Sequence, residues 1–168
     1  MIEEINPHHF YNQYEPRTPR ATDRILTFQN DQAAMIRRPA GLDFPQFAEL
    51  PFSAAAAQSL VYLFRIDEEA YFLNEAALEL PSLEWIPAAR FRELKPNSLA
   101  MAGITALQLQ RWRKSRRFCG VCGYALCDSQ RERARVCPHC GHVEYPQISP
   151  CAITAVIDRS QNRLLVVQ

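Results

Sequence analysis

Two Cys-x-x-Cys pairs, Cys119/Cys122 and Cys137/Cys140, stand 14 residues apart, and each is followed at once by a glycine, Gly123 or Gly141. No other stretch limits the fold so strongly. Four thiols presented by two tight turns suit tetrahedral zinc, with sulfurs about 2.3 Å from the metal. The glycines permit the left-handed backbone that lets amide groups turn back toward the sulfurs. Four protein ligands fill the tetrahedron, so the spacing predicts one structural zinc per chain and leaves no position for a catalytic water. Cys127, Cys151, His139 and His142 are the remaining soft ligands nearby. Cys127 is expected to be a buried thiol, and His139, inside the second turn, to point away from the metal.

The quartet sits in a chain of 168 residues, enough for one substantial domain and a small one. A hydrophobic share of 48% supports a core, and 22% charged residues is ordinary for a soluble protein. The net charge of +1 excludes a chain that envelops nucleic acid by its overall field. No apolar run approaches the roughly 18 residues that would span a bilayer, and the acidic, aromatic start lacks the features of a signal peptide. Metal spacing rather than disulfide spacing in four of the six cysteines points to a reducing cytoplasm.

The expected fold class is α+β: a β-rich mixed N-terminal domain (1–96), a connecting helix (97–117), a zinc ribbon (118–145) and the start of another domain (146–168). Residues 1–22, with Pro7, Pro16 and Pro19, read as an irregular or partly ordered arm. Arg24–Gln29 and Ala33–Arg38 flank a polar Asn30-Asp31-Gln32 turn, and Ser59–Ile66 faces Ala70–Leu73 across Asp67-Glu68-Glu69; both are hairpin signals. Gly41–Pro51, with two prolines and two phenylalanines, reads as a loop packed on a sheet. Leu83–Ile86 is a further short strand. Antiparallel pairing is expected to dominate, and no catalytic motif occurs in this part.

Pro96-Asn97-Ser98 signals a helix start, and Leu99–Arg117 is rich in helix formers. Its apolar residues (Met101, Ile104, Leu107, Leu109, Trp112) occupy more than one face, so the helix is expected to be buried between two bodies. It ends in the basic run Arg111–Arg117. That run suits phosphate contacts, but cations also favour a helix C-terminus and stay solvated there; solvation is the expectation. Past the ribbon, Tyr145–Pro150 forms a rigid bridge into Cys151–Ile157 (CAITAVI), which reads as a strand buried on both faces. A polar turn at Asp158–Asn162 leads to a second strand, Arg163–Val167. These strands are expected to open a domain whose remainder lies past Gln168.

The series FCGxCG, a Glu five residues before the third cysteine, CPHCG, YPQISPC and an apolar strand resembles the NADH pyrophosphatase branch of the Nudix hydrolases, most closely over 112–168. The resemblance implies cleavage of the pyrophosphate of NAD(H) to nicotinamide mononucleotide and AMP, and in some members removal of NAD caps from RNA. It implies zinc at Cys119, Cys122, Cys137 and Cys140, and substrate contacts at Glu132 and Tyr145, with a looser correspondence at Arg90 or Arg92. It also implies a homodimer, and Mg²⁺ or Mn²⁺ held by the glutamates of the Nudix box G-x5-E-x7-R-E-U-x-E-E-x-G-U. That box does not occur in these 168 residues; Arg92-Glu93-Leu94 copies its centre, but Pro96 and Asn97 stand where its next glutamates belong. No catalytic residue is therefore assigned, and the chain by itself is expected to be inactive. The alternative is a zinc-ribbon module whose basic helix end binds nucleic acid or a protein.

Overall fold

The computed structural model describes residues 4–147 and 154–165. Its larger unit is a sheet built from β1 (Phe10–Tyr11), β2 (Arg24–Gln29), β3 (Gln32–Arg38), β4 (Gly41–Asp43), β5 (Val61–Ile66), β6 (Glu69–Asn74) and β7 (Leu83–Pro87). The strand order is β1-β5-β6-β2-β3-β4, with β7 on β3. Both anticipated hairpins form. The first turns at Asn30 and Asp31, with φ of 49° and 58°, the left-handed pair that a two-residue hairpin loop requires. The second turns at Asp67, with φ of 51°. Antiparallel pairing prevails among these strands, but β2 and β6 run parallel from Arg24/Tyr71 to Thr27/Asn74.

Period-two alternation divides the side chains between two buried clusters. Ile25, Ala70 and Phe72 face one side, while Leu26, Tyr71 and Leu73 face the other. A register shift in β5 between Tyr62 and Phe64 breaks the alternation. It places both Leu63 and Phe64 on one face and leaves Tyr62 on the other.

Four differences from the sequence expectations concern this unit. The arm, read as irregular or partly ordered, is docked on the sheet and reaches the ribbon: β1 pairs with β5, and the Tyr14 hydroxyl donates to the Ser129 carbonyl at 3.0 Å. The loop at Gly41–Pro51 contains β4 and a single 3₁₀ turn at Phe47–Glu49. A short helix, α1 (Ala54–Ser59), occupies a run of four alanines, and Ser53 caps it by accepting from the Ala56 amide. It takes Ser59, so β5 begins two residues later than expected.

Helix α2 (Asn97–Ser115) covers one face of the sheet. Leu99, Leu107 and Leu109 insert into the cluster, and Ala100, Ala102 and Ala106 are small enough to let the helix approach the strands. At its far end Trp112 and Arg113 are buried, where the ribbon meets the sheet unit. The ribbon carries three short antiparallel strands, β8 (Cys127–Asp128), β9 (Arg135–Val136) and β10 (Val143–Glu144), in the order β10-β9-β8.

The expected strand pair after the ribbon appears as β11 (Ile157–Asp158) on β12 (Arg163–Leu164), with Asn162 in the turn at φ 49°. Residues 151–153 of the CAITAVI run lie outside the described residues. Over residues 154–157 the burial expected of that run is not found: Val156 and Ile157 are 56% and 59% exposed. Every described residue of the hairpin is exposed, and its turn is held by Asp158 Oδ1, which accepts from the Ser160 amide and hydroxyl at 2.9 and 2.6 Å.

Candidate metal centre

The two knuckles are built alike. Gly123 and Gly141 both adopt φ of 76°, and their amides donate to the carbonyls of Cys119 and Cys137 at 2.9 and 3.0 Å. The amides of Cys119 and Cys137 in turn donate to Tyr124 and His142 carbonyls at 2.7 and 2.8 Å. The glycines are needed for the left-handed turn itself, since a Cβ at either position would meet no neighbour. The turns aim four sulfurs inward, all within 4.8 Å of one another. Cys119 lies 3.6 Å from Cys140, and Cys122 lies 3.4 and 3.5 Å from Cys137 and Cys140. These separations are too long for disulfides and close to the edge of about 3.8 Å that Zn–S bonds of 2.3 Å imply.

The electrostatics of the quartet fit a dication. Burial opposes ionisation of Cys137, but amide N–H groups of Cys140 and His139 outweigh it and bring the thiol down to about 6. Cys119 moves down as well, against burial, with amides of Cys122 and Val121 donating to it. Cys122 receives the Tyr124 amide, yet burial and its three sulfur neighbours push it up to about 12. Cys140 is also raised, by burial and by Cys137 and Cys119, against the His142 amide. Neighbouring thiolates thus resist simultaneous ionisation, which a bound Zn²⁺ would relieve.

The other soft ligands stand apart from the cluster. Cys127, expected to be buried, is exposed on β8 and donates its thiol to the Val136 carbonyl at 3.3 Å. Its strand is at the sheet edge, which leaves the side chain in solvent. The His139 ring stacks on Tyr124 at 4.2 Å, bridging the two knuckles from outside. His142 lies 3.4 Å from Glu144. Cys151 falls outside the described residues.

Of the residues that the resemblance connects with substrate, two come together. The Tyr145 hydroxyl donates to Glu132 Oε1 at 2.9 Å. Both are exposed, and Tyr145 borders a cleft of about 370 Å³ with Phe10, Thr105, Arg133 and Gln147. Arg90 and Arg92 sit elsewhere, on the 3₁₀ turns Ala88–Glu93, where Arg90 donates to Glu93 at 3.1 Å.

The basic run is not uniformly solvated. Arg113 is 7% exposed and makes two-pronged contacts with Glu75 (3.0 and 2.8 Å) and with Asp128 (2.7 and 3.0 Å). Arg111 pairs with Asp31 at 3.0 Å, and Arg116 reaches Glu144 at 3.7 Å. Sequence reasoning missed Arg113 because its partners lie 38 and 15 residues away.

The fold and the quartet define a β-rich domain joined to a four-cysteine ribbon. Residues 114–145 match the family described as NADH pyrophosphatase zinc ribbon domain. Three relatives are each named NAD-capped RNA hydrolase NudC. The protein of Deinococcus radiodurans is 31% identical over 75% of this chain and 46% of its own length. That of Chromobacterium violaceum is 35% identical over 56% of this chain and 36% of its own length. That of an Enterobacter species is 42% identical over 37% of this chain and 23% of its own length. The ribbon of this chain matches the zinc ribbon of the NADH pyrophosphatases, and the chain is similar to these hydrolases over part of their length. It spans less than half the length of these relatives.

Proposed function

We propose that this chain supplies the N-terminal and zinc-ribbon portion of a hydrolase that cleaves the pyrophosphate of NAD(H) and of NAD-capped RNA. The zinc is structural, holding the ribbon rigid. Glu132 and Tyr145 are its contacts with the dinucleotide, and Arg90 or Arg92 a weaker one. The chemistry itself would use Mg²⁺ or Mn²⁺ on Nudix-box glutamates, which these 168 residues do not contain. A cytoplasmic homodimer completes the reading, consistent with metal-type cysteine spacing and with the absence of any described helix long and apolar enough to cross a membrane.

The observation that carries the proposal is the Tyr145–Glu132 hydrogen bond on the outer face of the ribbon. Two residues matched to substrate contacts from separate motifs meet there at one exposed spot. The test uses the full-length protein, with NADH and NAD-capped RNA as substrates and release of nicotinamide mononucleotide as readout. Tyr145→Phe and Glu132→Gln should raise KM several-fold, and the 168-residue chain should release none. Unchanged KM in both variants, or turnover by the short chain, would overturn it. The alternative, nucleic-acid binding by the basic helix end, is disfavoured because Arg111, Arg113 and Arg116 already face carboxylates.

A further inference from the structure

Glu132 stands on the loop 129–134 between β8 and β9, which carries no regular structure. Within the loop, the Ser129 amide donates to the Ala134 carbonyl at 2.9 Å, and the Ala134 amide to the Glu132 carbonyl at 2.8 Å. These bonds close a turn without fixing the loop against the sheet unit. The arm and β5 do that. The Tyr14 hydroxyl donates to the Ser129 carbonyl at 3.0 Å. Arg133 Nη1 donates to both oxygens of Asn12, the carbonyl at 3.1 Å and Oδ1 at 2.7 Å. Arg133 Nη2 donates to the Leu63 carbonyl. Leu63 lies where the register of β5 on β6 shifts, between the pairs Tyr62/Phe72 and Phe64/Tyr71. The extra residue of such an irregularity is unpaired in the ladder, and its carbonyl here takes a guanidinium.

The acceptors of Arg133 are two carbonyls and one amide oxygen, none of them a carboxylate. Arg113, at the same seam, has two carboxylates. Burial accordingly lowers the Arg133 pKa. What neutral acceptors on two segments supply is direction, because the planar fork fixes each nitrogen toward its own partner. The neighbouring side chain goes the other way: Glu132 is exposed and accepts from the Tyr145 hydroxyl at 2.9 Å. Its place therefore follows from where the loop is held. Asn12 and Arg133 also border, with Phe10, the same cleft of about 370 Å³ as Tyr145.

We propose that Arg133 is a positioning residue for the Glu132–Tyr145 contact, its guanidinium clamped between Asn12 and Leu63 so that the loop presents Glu132 to Tyr145. The arm thereby serves the site without touching the dinucleotide: Asn12 acts through Arg133, and Arg133 through Glu132. The consequence for turnover rests on Glu132 and Tyr145 being dinucleotide contacts; the placement of Glu132 does not.

The test has two readouts. In the zinc-loaded 168-residue chain, ultraviolet difference titration follows Tyr145, with Tyr145→Phe to assign its signal. Arg133→Ala should lower the Tyr145 pKa to where Glu132→Gln puts it. Asn12→Ala should move it part of the way, since the Asn12 carbonyl remains. Arg133→Lys should restore little, because a single ammonium cannot hold both segments. A residue that only stabilised the fold would leave the titration of the folded protein unchanged. In the full-length protein, Arg133→Ala should raise KM for NADH by the same several-fold factor as Glu132→Gln, with kcat nearly unchanged. The double variant should match Glu132→Gln alone on both readouts. If Glu132→Gln leaves KM unchanged, the dinucleotide reading fails and the titration alone decides the positioning. An unshifted Tyr145 titration in folded Arg133→Ala and Asn12→Ala would overturn the proposal. So would additive effects in the double variant, or a Tyr145 titration indifferent to Glu132→Gln. Should Arg133→Ala fail to fold by circular dichroism, Asn12→Ala, which alters only an exposed side chain, decides.

Discussion

The Tyr145 hydroxyl donates to Glu132 Oε1 across 2.9 Å, joining the segment that leaves the ribbon to the loop that precedes its third cysteine. Glu132 raises the Tyr145 pKa, because a carboxylate that accepts from the phenol stabilises its protonated form; burial adds to the same direction. The bond is therefore present in the neutral range and is lost as pH rises through the Tyr145 pKa. Glu132→Gln removes the negative charge while keeping an acceptor, so Tyr145 should titrate lower, closer to the ordinary tyrosine value of about 10. Ultraviolet difference titration of Glu132→Gln against the parent, with Tyr145→Phe to assign the signal, measures this. An unchanged Tyr145 titration would show that the two groups are not bonded in solution.

Metal removal should act on one part of the chain. The ribbon's own apolar core is only Cys119, Leu126 and Cys137 with Cys122 beside them, so little besides the ligands holds it. The sheet unit has its own two clusters. One zinc per chain is expected by elemental mass spectrometry. Chelation should abolish hydrogen-exchange protection over 118–145 while sparing β2–β7. Cys137→Ser should reproduce that loss, whereas Cys127→Ser should keep full zinc, because its sulfur faces the Val136 carbonyl rather than the cluster.

The quartet was legible because two residues of spacing and a glycine determine a knuckle locally, without reference to the rest of the chain. The Asn30-Asp31 turn was legible for the same reason. The parallel pairing of β2 with β6 was not: its partners are 47 residues apart, and local periodicity carries no information on which strands meet. Arg113 was hidden among five basic residues, since burial depends on Glu75 and Asp128 arriving from other segments. Cys127 was misread because a cysteine near a ribbon looks apolar until its strand is known to lie at an edge. For Glu132 and Tyr145, motif position marked them, but only the folded ribbon brought them together.

Arg113 joins three segments: the end of β6 through Glu75, helix α2 and β8 through Asp128. Breaking a fully buried ion pair by removing one partner costs about 3–5 kcal/mol. Here both carboxylates keep some solvent, at 44% and 40% exposure, which reduces the charge left unsatisfied. Arg113→Ala should accordingly destabilise by about 2 kcal/mol in urea unfolding. Arg113→Lys should recover little of that, because a single ammonium cannot make two-pronged contacts with both carboxylates. Full recovery by lysine would mean that charge alone, rather than fork geometry, holds the seam.

Gly103 is where α2 comes closest to the aromatic core. A Cβ there would stand 3.0 Å from Phe91 Cδ2 and 3.2 Å from Phe44 Cζ. Two effects of Gly103→Ala oppose each other. Alanine gains about 1 kcal/mol over glycine in a helix interior, while overpacking a filled core costs about 1–3 kcal/mol. The outcome depends on whether the rings can retreat. Both are fully buried, and Phe91 also packs against Phe28 with ring centres 6.4 Å apart, so neither has a free direction. Overpacking should win, and Gly103→Ala should lower stability by about 1 kcal/mol, or about 2–4 °C in Tm. Phe91→Leu creates the missing space at its own cost, so in that background the same alanine should become neutral or stabilising. Such non-additivity in a double-mutant cycle would locate the clash at the Gly103–Phe91 contact. Additive effects of the two substitutions would instead mean that the helix shifts bodily to accommodate the methyl group.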